Sequence, residues 1–332
     1  MQFTPEILRE QVQLLTDREV DRRKGIAAVY LRGSLLSGSP LLGGAGDLNL
    51  VFIHHEPPDT RREIQPLTPE IHFDLVHHDQ TRYTDHRSLR VDPWLGPALR
   101  DAQPLYDPKH FFDYTQSGVR GLFAHPETLE DRARPQLKKA RQFWMDHQLN
   151  PPLGSIAAIQ PYLAALQQAV NSLALLSGSP LPLRRLGLEF PDRAAQMDPE
   201  LLPLFLEALG ADDLTLDHLE SWYEPWKESL EAEKTPPGPD LLGQQTRYLG
   251  DAVQTMLEGR QILAALWPLL VSWTDAVAKL PGDHPLRGVW REACGTLGLA
   301  GNQFLRRLEA LDRFLDRCEI IFSKRFDQKE WS

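Results

Sequence analysis

At 332 residues, with 42% hydrophobic and 25% charged side chains, the chain has the composition of an ordinary globular protein and length enough for two domains. Its formal charge of −10 excludes broad, sequence-independent contact with extended nucleic acid, which requires a basic surface, but leaves open a nucleotide that arrives with its own cation. Residues 1–20 are polar and amphipathic rather than signal-like. The most apolar stretch, 262–273, contains Pro268 and is too short to span a bilayer, so it reads as a core helix. Cys294 and Cys318 lie far from each other, with no CxxC or Cys/His spacing. They read as reduced thiols of a soluble, cytoplasmic protein without membrane partners.

In chain order, residues 5–24 carry Leu8, Val12 and Leu15 at helical spacing behind Thr4-Pro5, a cap and first-turn pair. Strand-like runs follow at 26–32, 47–53 and 70–76. Residues 88–101 predict a short helix interrupted by Pro93 and Pro97, and Leu105-Tyr106 a brief strand before Asp107-Pro108. From about Pro126 the pattern is helical throughout. Segments are expected at 126–149, 156–176, 199–209, 213–234 with a kink at Pro225, 241–279, 284–297 and 301–326. Asn150-Pro151-Pro152 and 235–239 are the clearest breakers. The expected architecture is therefore α+β: an N-terminal mixed sheet with helices over 1–118, then an all-α helical-bundle domain over 119–332.

Chemistry concentrates between Val29 and Asp74. An apolar run ends in Arg32-Gly33-Ser34, a glycine-rich loop follows, and Asp47-Leu48-Asn49 opens the next strand. Side chains at i and i+2 of a strand share a face, so Asp47 and Asn49 converge, and Asp74 on a neighbouring strand is placed to join them. Three oxygen-bearing side chains beside such a loop suit a hard divalent cation carrying a polyphosphate. Gly33 permits a tight turn, and Ser34 can offer its hydroxyl and N–H to a phosphate oxygen. Asp74 lies among Phe73, Leu75 and Val76, where an unpaired carboxylate is costly, so a metal or another partner is expected there.

Other features of this region are less directed. The loop carries Leu35, Leu36, Leu41 and Leu42 and few of the charges expected beside a polyphosphate; Arg32 is the nearest cation but reads as pointing away, and Arg61 and Arg62, before the third strand, are alternatives that read more simply as a solvated connection. His54-His55 and His77-His78 close two strands, but neighbours on a strand face opposite ways, so at most one of each pair can converge. His72 and His78 share the face of Asp74.

Gly33-Ser34, the glycine-containing loop, Asp47-x-Asn49 and Asp74 on a later strand resemble the nucleotidyltransferase superfamily with the DNA polymerase β fold. That pattern is Gly-Ser, a spacer, Asp-x-Asp/Glu and a third Asp. A mixed domain followed by a helical one is similar in layout to small bacterial proteins of the kanamycin nucleotidyltransferase type. The resemblance implies Mg²⁺ (or Mn²⁺) held by Asp47, Asn49 and Asp74, and an NTP as substrate. It further implies transfer of an NMP to a hydroxyl of a small molecule or protein. Arg184 and Arg185, following a helix of the second domain, are then candidates for the triphosphate. Glu220, Trp222, Tyr223, Glu224 and Trp226 could line an acceptor pocket, or else pack as an amphipathic helix. Asn49 departs from the family pattern, because an amide oxygen brings no charge to a metal site. The alternatives are a catalytically weakened nucleotide-binding or regulatory protein, or a toxin–antitoxin-type interaction module. For the module, Arg141 and His147 form a loose Arg-x5-His match.

Overall fold

A computed structural model describes residues 3–38, 40–148, 155–232 and 239–326, with backbone only for 239–246. The breakers expected at 150–152 and 235–239 lie outside the described residues, save Pro239, which is the first residue of a helix. The chain divides into two compact units, Met1–Leu129 and Glu130–Ser332.

In the first unit, α1 (Pro5–Arg22) starts at Thr4, whose hydroxyl accepts the Ile7 N–H, with Pro5 in the first turn. Five strands follow: β1 (Ile26–Arg32), β2 (Gly46–His54), β3 (Arg62–Pro66), β4 (Ile71–Asp79) and β5 (Gln103–Tyr106). They form one mixed sheet in the order β3-β4-β2-β1-β5, in which β2 and β4 run parallel and the other pairs antiparallel. Strand β1 is almost wholly buried, as its unbroken apolar run requires of a strand covered on both faces. On one face, Leu8, Val12 and Leu15 of α1 pack on Leu31, Leu50, Phe52 and Leu75. Against the other face pack α2 (His86–Val91), α3 (Leu95–Asp101) and α4 (Phe111–Arg120), burying Leu89, Leu99 and Phe112 on Tyr30, Val51 and Ile53.

Two of these elements go beyond the sequence reading. The connection holding Arg62 is an edge strand, β3, and residues beyond Asp107-Pro108 form α4. Strand β3 is short, charged and closed by Pro66, features that suit an edge and mask a hydrophobic alternation.

The second unit is all helical among its described residues. It comprises α5 (Pro126–His147, which begins in the first unit), α6 (Ile156–Ser177), α7 (Leu183–Met197), α8 (Leu201–Leu209), α9 (Leu216–Ala232), α10 (Pro239–Glu258), α11 (Ile262–Lys279), α12 (Pro285–Thr296) and α13 (Phe304–Phe326). The helix expected over 241–279 is two helices, broken at Gly259-Arg260, where Arg260 takes φ +54°. Conversely, α9 continues through Pro225.

By length and composition α11 could cross a membrane, yet most of it, Trp267 and Trp273 included, is buried inside this unit. Three buried indoles around it find hydroxyl acceptors: Trp226 on Ser272 (2.9 Å), Trp273 on Ser229 (2.8 Å) and Trp290 on Thr274 (3.1 Å). Trp222 and Trp226 are thus core residues, while Glu220 and Glu224 are exposed. The amphipathic-helix reading of that cluster holds.

Candidate functional site

The turn after β1 sets the scene. Gly33 takes φ +88°, and backbone bonds from Leu36 to Gly33 (3.1 Å) and from Ser37 to Ser34 (3.1 Å) close it. Farther along, Gly43 and Gly44 take φ +64° and +78°, and Leu42 and Ala45 exchange backbone hydrogen bonds across them. These are the paired positive angles of a two-residue hairpin turn. The leucines of the loop now have a role: Leu35 is buried, and Leu36 and Leu41 pack against the α1-side core. Ser34 is engaged within the loop, its hydroxyl donating to the Pro40 carbonyl at 3.3 Å.

Strand register brings the predicted oxygens to one face. Asn49 on β2 is the partner of Asp74 on β4 and of Arg32 on β1, and Asp47 is the partner of His72. Paired residues of adjacent strands share a face. Arg32, Asp47, Asn49, His72 and Asp74 therefore line the face whose inner part carries Tyr30 and Val51. Arg32 does not point away. It lies beside Asn49 in the ladder, and its side chain makes no hydrogen bond or ion pair with the described residues.

Asp74 is 5% exposed and already has a partner. Arg62 donates from Nε to Oδ1 at 2.7 Å and from one terminal nitrogen to Oδ2 at 2.9 Å. Since Ile64 pairs with Asp74, Arg62 reaches it diagonally from the same face of the edge strand. Asn49 turns its amide N–H toward Asp47, donating to Oδ2 at 2.9 Å.

As arranged, these residues do not fit the divalent cation that the resemblance implies. Both oxygens of one carboxylate are taken by a guanidinium, and an amide donor faces the other where a metal-bridging acid is needed. Among the described residues, no group of three or more His, Cys, Asp or Glu side chains could hold a metal ion.

Farther along this face, His78 Nδ1 lies 2.5 Å from the Tyr83 hydroxyl, which lies 3.0 Å from that of Tyr30. Arg82 approaches His78 Nε2 at 3.4 Å. Arginine only donates, so Nε2 accepts and Nδ1 carries the proton. Burial, aided by Arg82 and Arg32, pushes the His78 imidazole down to about 4, which keeps it neutral.

The opposite face holds a second network. His54 Nε2 and His77 Nδ1 are 2.9 Å apart, His77 Nε2 is 3.4 Å from Glu63, and Glu63 takes two hydrogen bonds from Arg23. Arg23 and Arg22 also bind Glu19 on α1, holding its carboxyl low against the opposing effect of burial. His54 and His77 do converge, but on each other and on the α1 side, away from Asp74.

In the helical unit, Arg184 is buried with its guanidinium 3.6 Å from the Tyr248 ring centroid, and Arg185 pairs with Glu189 at 3.4 Å. Arg141 binds Asp312, Asp316 and Glu319 of α13, and His147 Nδ1 donates to the Phe143 carbonyl at 2.7 Å. Arg141 is thus a helix-to-helix clamp.

The residue that sequence reasoning undervalued is Arg62. The signal was present in Arg62-Glu63-Ile64-Gln65-Pro66, a short charged segment with one apolar residue ending at proline, which is how edge strands read.

No family model and no curated protein matches this sequence. Among solved structures, the chain is similar to a nucleotidyltransferase-like protein from Exiguobacterium sibiricum 255-15, with 11% identity, 87% of this chain and 89% of that one covered, and a TM-score of 0.31. A superposition that loose bears on neither fold nor function.

Proposed function

We propose that the first unit is a nucleotidyltransferase-type domain that binds the phosphates of a nucleotide at the Gly33-Ser34 turn and the Asp47–Asn49–Asp74 row. In this reading it serves as a binding or regulatory module whose metal-holding charge has been reduced. The observation that carries the proposal is the two-point contact of Arg62 with Asp74. A guanidinium there supplies the positive charge that a cation supplies in the family pattern, and Asn49 removes the negative charge that would call for a second. The two departures compensate each other: Arg62 balances Asp74, and Asn49 adds no charge beside it. The protein is further proposed to be soluble and cytoplasmic, without extended nucleic acid as a partner.

A second reading is Mg²⁺-dependent transfer of an NMP from an NTP to a hydroxyl acceptor. The convergence of Asp47, Asn49 and Asp74 on one face favours it. One experiment separates the two: thermal shift and pyrophosphate release with each of the four NTPs, with and without Mg²⁺ or Mn²⁺. Stabilisation by a nucleotide without pyrophosphate release supports the binding module. Metal-dependent release that is lost in Asp47→Ala supports the transferase. No shift and no release with any nucleotide would sink both.

A further inference from the structure

We propose that Arg82, Arg32 and the imidazole of His78 form a site for a phosphate dianion, free or at the end of a small phosphate monoester. The site is centred on His78, four residues and about 13 Å of strand from Asp74. It neither uses nor requires the nucleotide reading of the Asp47–Asn49–Asp74 row.

Hydrogens outnumber acceptors in the chain His78–Tyr83–Tyr30. One imidazole N–H and two phenol O–H groups make three hydrogens, but there are two links: His78 Nδ1 to Tyr83 at 2.5 Å and Tyr83 to Tyr30 at 3.0 Å. With the proton on Nδ1, as the approach of Arg82 to Nε2 requires, one phenol hydrogen finds no acceptor in the chain. With the proton on Nε2, Tyr30 donates to Tyr83 and Tyr83 to Nδ1, and both phenols are satisfied. The Nε2–H then faces the Arg82 guanidinium, also a donor, at 3.4 Å. One oxyanion oxygen about 2.8 Å from each nitrogen accepts from both. Binding thus moves the imidazole proton from Nδ1 to Nε2 by exchange with water and turns the two hydroxyls, with no net gain or loss of a proton.

Charge points the same way. Arg32 stands two residues after Tyr30 on β1 and on the same face. Both Arg32 and Arg82 act on Tyr30, Tyr83 and His78; apart from the neighbouring His77 ring, which acts on His78, the charges reaching the chain are theirs, and none is a carboxylate. The strand rows from Arg32 down to His78 carry Tyr30, Val51 and Val76, then Ala28 and Ile53, with no acid in either. Neither arginine makes an ion pair with a described residue. Phe112 stacks on Tyr30 at 4.6 Å and Phe111 meets Tyr83 edge-on at 6.4 Å, so the inner side of the chain is apolar and screens charge little. Arg82 is exposed and marks the open side. Two guanidinium charges match a dianion, whereas a carboxylate leaves one of them unmet.

The test titrates the full chain, in EDTA, with inorganic phosphate, glycerol phosphate and acetate, followed by calorimetry and by the imidazole ¹⁵N signals, with His78 assigned through His78→Gln. Phosphate is expected to bind and acetate to bind at least about tenfold more weakly, for want of the second charge. The His78 signal should report Nδ1–H in the free protein and Nε2–H at saturation. Arg82→Gln and Arg32→Gln should each weaken phosphate about tenfold, as loss of a charge-assisted hydrogen bond does. Circular dichroism melting accompanies each variant, and the His78 signal of the wild type carries the test should a variant lose stability. Binding of phosphate alone, or of the ester alone, upholds the site and identifies the source of the anion. No binding of either, binding unchanged in both arginine variants, acetate as tight as phosphate, or an imidazole that keeps Nδ1–H at saturation overturns the inference. The thermal shift with ATP separates this site from the nucleotide reading. Phosphate binding with no ATP shift in the wild type leaves this site standing while that reading falls. An ATP shift that Arg82→Gln abolishes along with phosphate binding means one shared site and overturns a separate one.

Discussion

Gly33 and Asn49 are in contact. A Cβ built on Gly33 would sit 3.2 Å from Asn49 Nδ2, the same nitrogen that donates to Asp47 at 2.9 Å. The absence of a side chain at Gly33 therefore leaves the space that the Asn49 amide needs at the centre of the oxygen row.

Alanine at Gly33 should cost more than backbone strain alone. Gly25 provides the control, since it takes φ +84° with nothing within 4 Å of an added Cβ, against φ +88° at Gly33. Gly25→Ala is expected to lose about 1–2 kcal/mol, the cost of the left-handed region for an L-residue. Gly33→Ala should lose that and a further contribution from displacing the Asn49 amide. Urea unfolding of both variants measures the difference, and equal losses would show that the contact carries no energy.

Arg62 and Asp74 should be energetically coupled. Arg62→Ala leaves a nearly buried carboxylate without its donors, a loss of about 1–3 kcal/mol by general experience with such groups. The Arg62→Ala/Asp74→Asn double variant should recover part of it, because the amide carries no charge to strand. A double-mutant cycle by chemical denaturation reads the coupling. Since Arg62 is more than half exposed, solvent screens the pair, so the coupling should fall short of that of a sealed ion pair.

Acid should weaken the first unit before its carboxylates titrate. His77 is pushed down to about 4, first by burial and then by the charge of Arg23; His78 falls to about 4 by burial and by Arg82. An unfolded imidazole titrates near 6.5. Between those values the unfolded chain takes up protons that the folded chain refuses, so stability is complete above about pH 6.5 and declines as pH falls toward about 4. Together the two imidazoles should remove on the order of a few kcal/mol after screening. Unfolding free energies at several pH values, compared with His77→Gln, check this. The variant's curve should be flatter over that window, and parallel curves would remove His77 from the account.

What the sequence carried, and what it withheld, follows from the physics of each element. The apolar run of β1 and the alternating Asp47-Leu48-Asn49-Leu50 are decided by which faces are covered, and that shows in residue type. Asp74 read as a buried acid in need of a partner because its neighbours are apolar. The partner did not read out, because Arg62 lies in a five-residue edge strand that must look polar to avoid pairing with other chains. The placement of Arg32 required the register of β1 on β2, which no local pattern encodes. In the helical half, Trp226 read as a core residue or as part of an acceptor pocket, while Trp273 lay in a stretch already read as a core helix. Only the hydroxyls of Ser272 and Ser229, far along the chain, show that their N–H groups are satisfied inside.

Restoring the missing acid should expose how the site keeps its charge in balance. In Asn49→Asp, the new carboxylate would replace an amide that donates to Asp47 at 2.9 Å and would lie in register with Asp74. Two carboxylates at that separation repel, by about 1–4 kcal/mol depending on how much solvent reaches them. The variant should therefore melt below the wild type in EDTA. Adding Arg62→Gln releases both oxygens of Asp74 and leaves three carboxylates, at positions 47, 49 and 74, to gather a hard cation. The double variant should melt lower still in EDTA, yet gain more from millimolar Mg²⁺ than the wild type does, because a ligand that binds only the folded state stabilises it by mass action. Melting curves of the wild type, Asn49→Asp and the double variant with and without Mg²⁺ decide the matter. A wild type that gains as much from Mg²⁺ as the double variant would mean that Arg62 leaves Asp74 readily and that the site already accepts the metal.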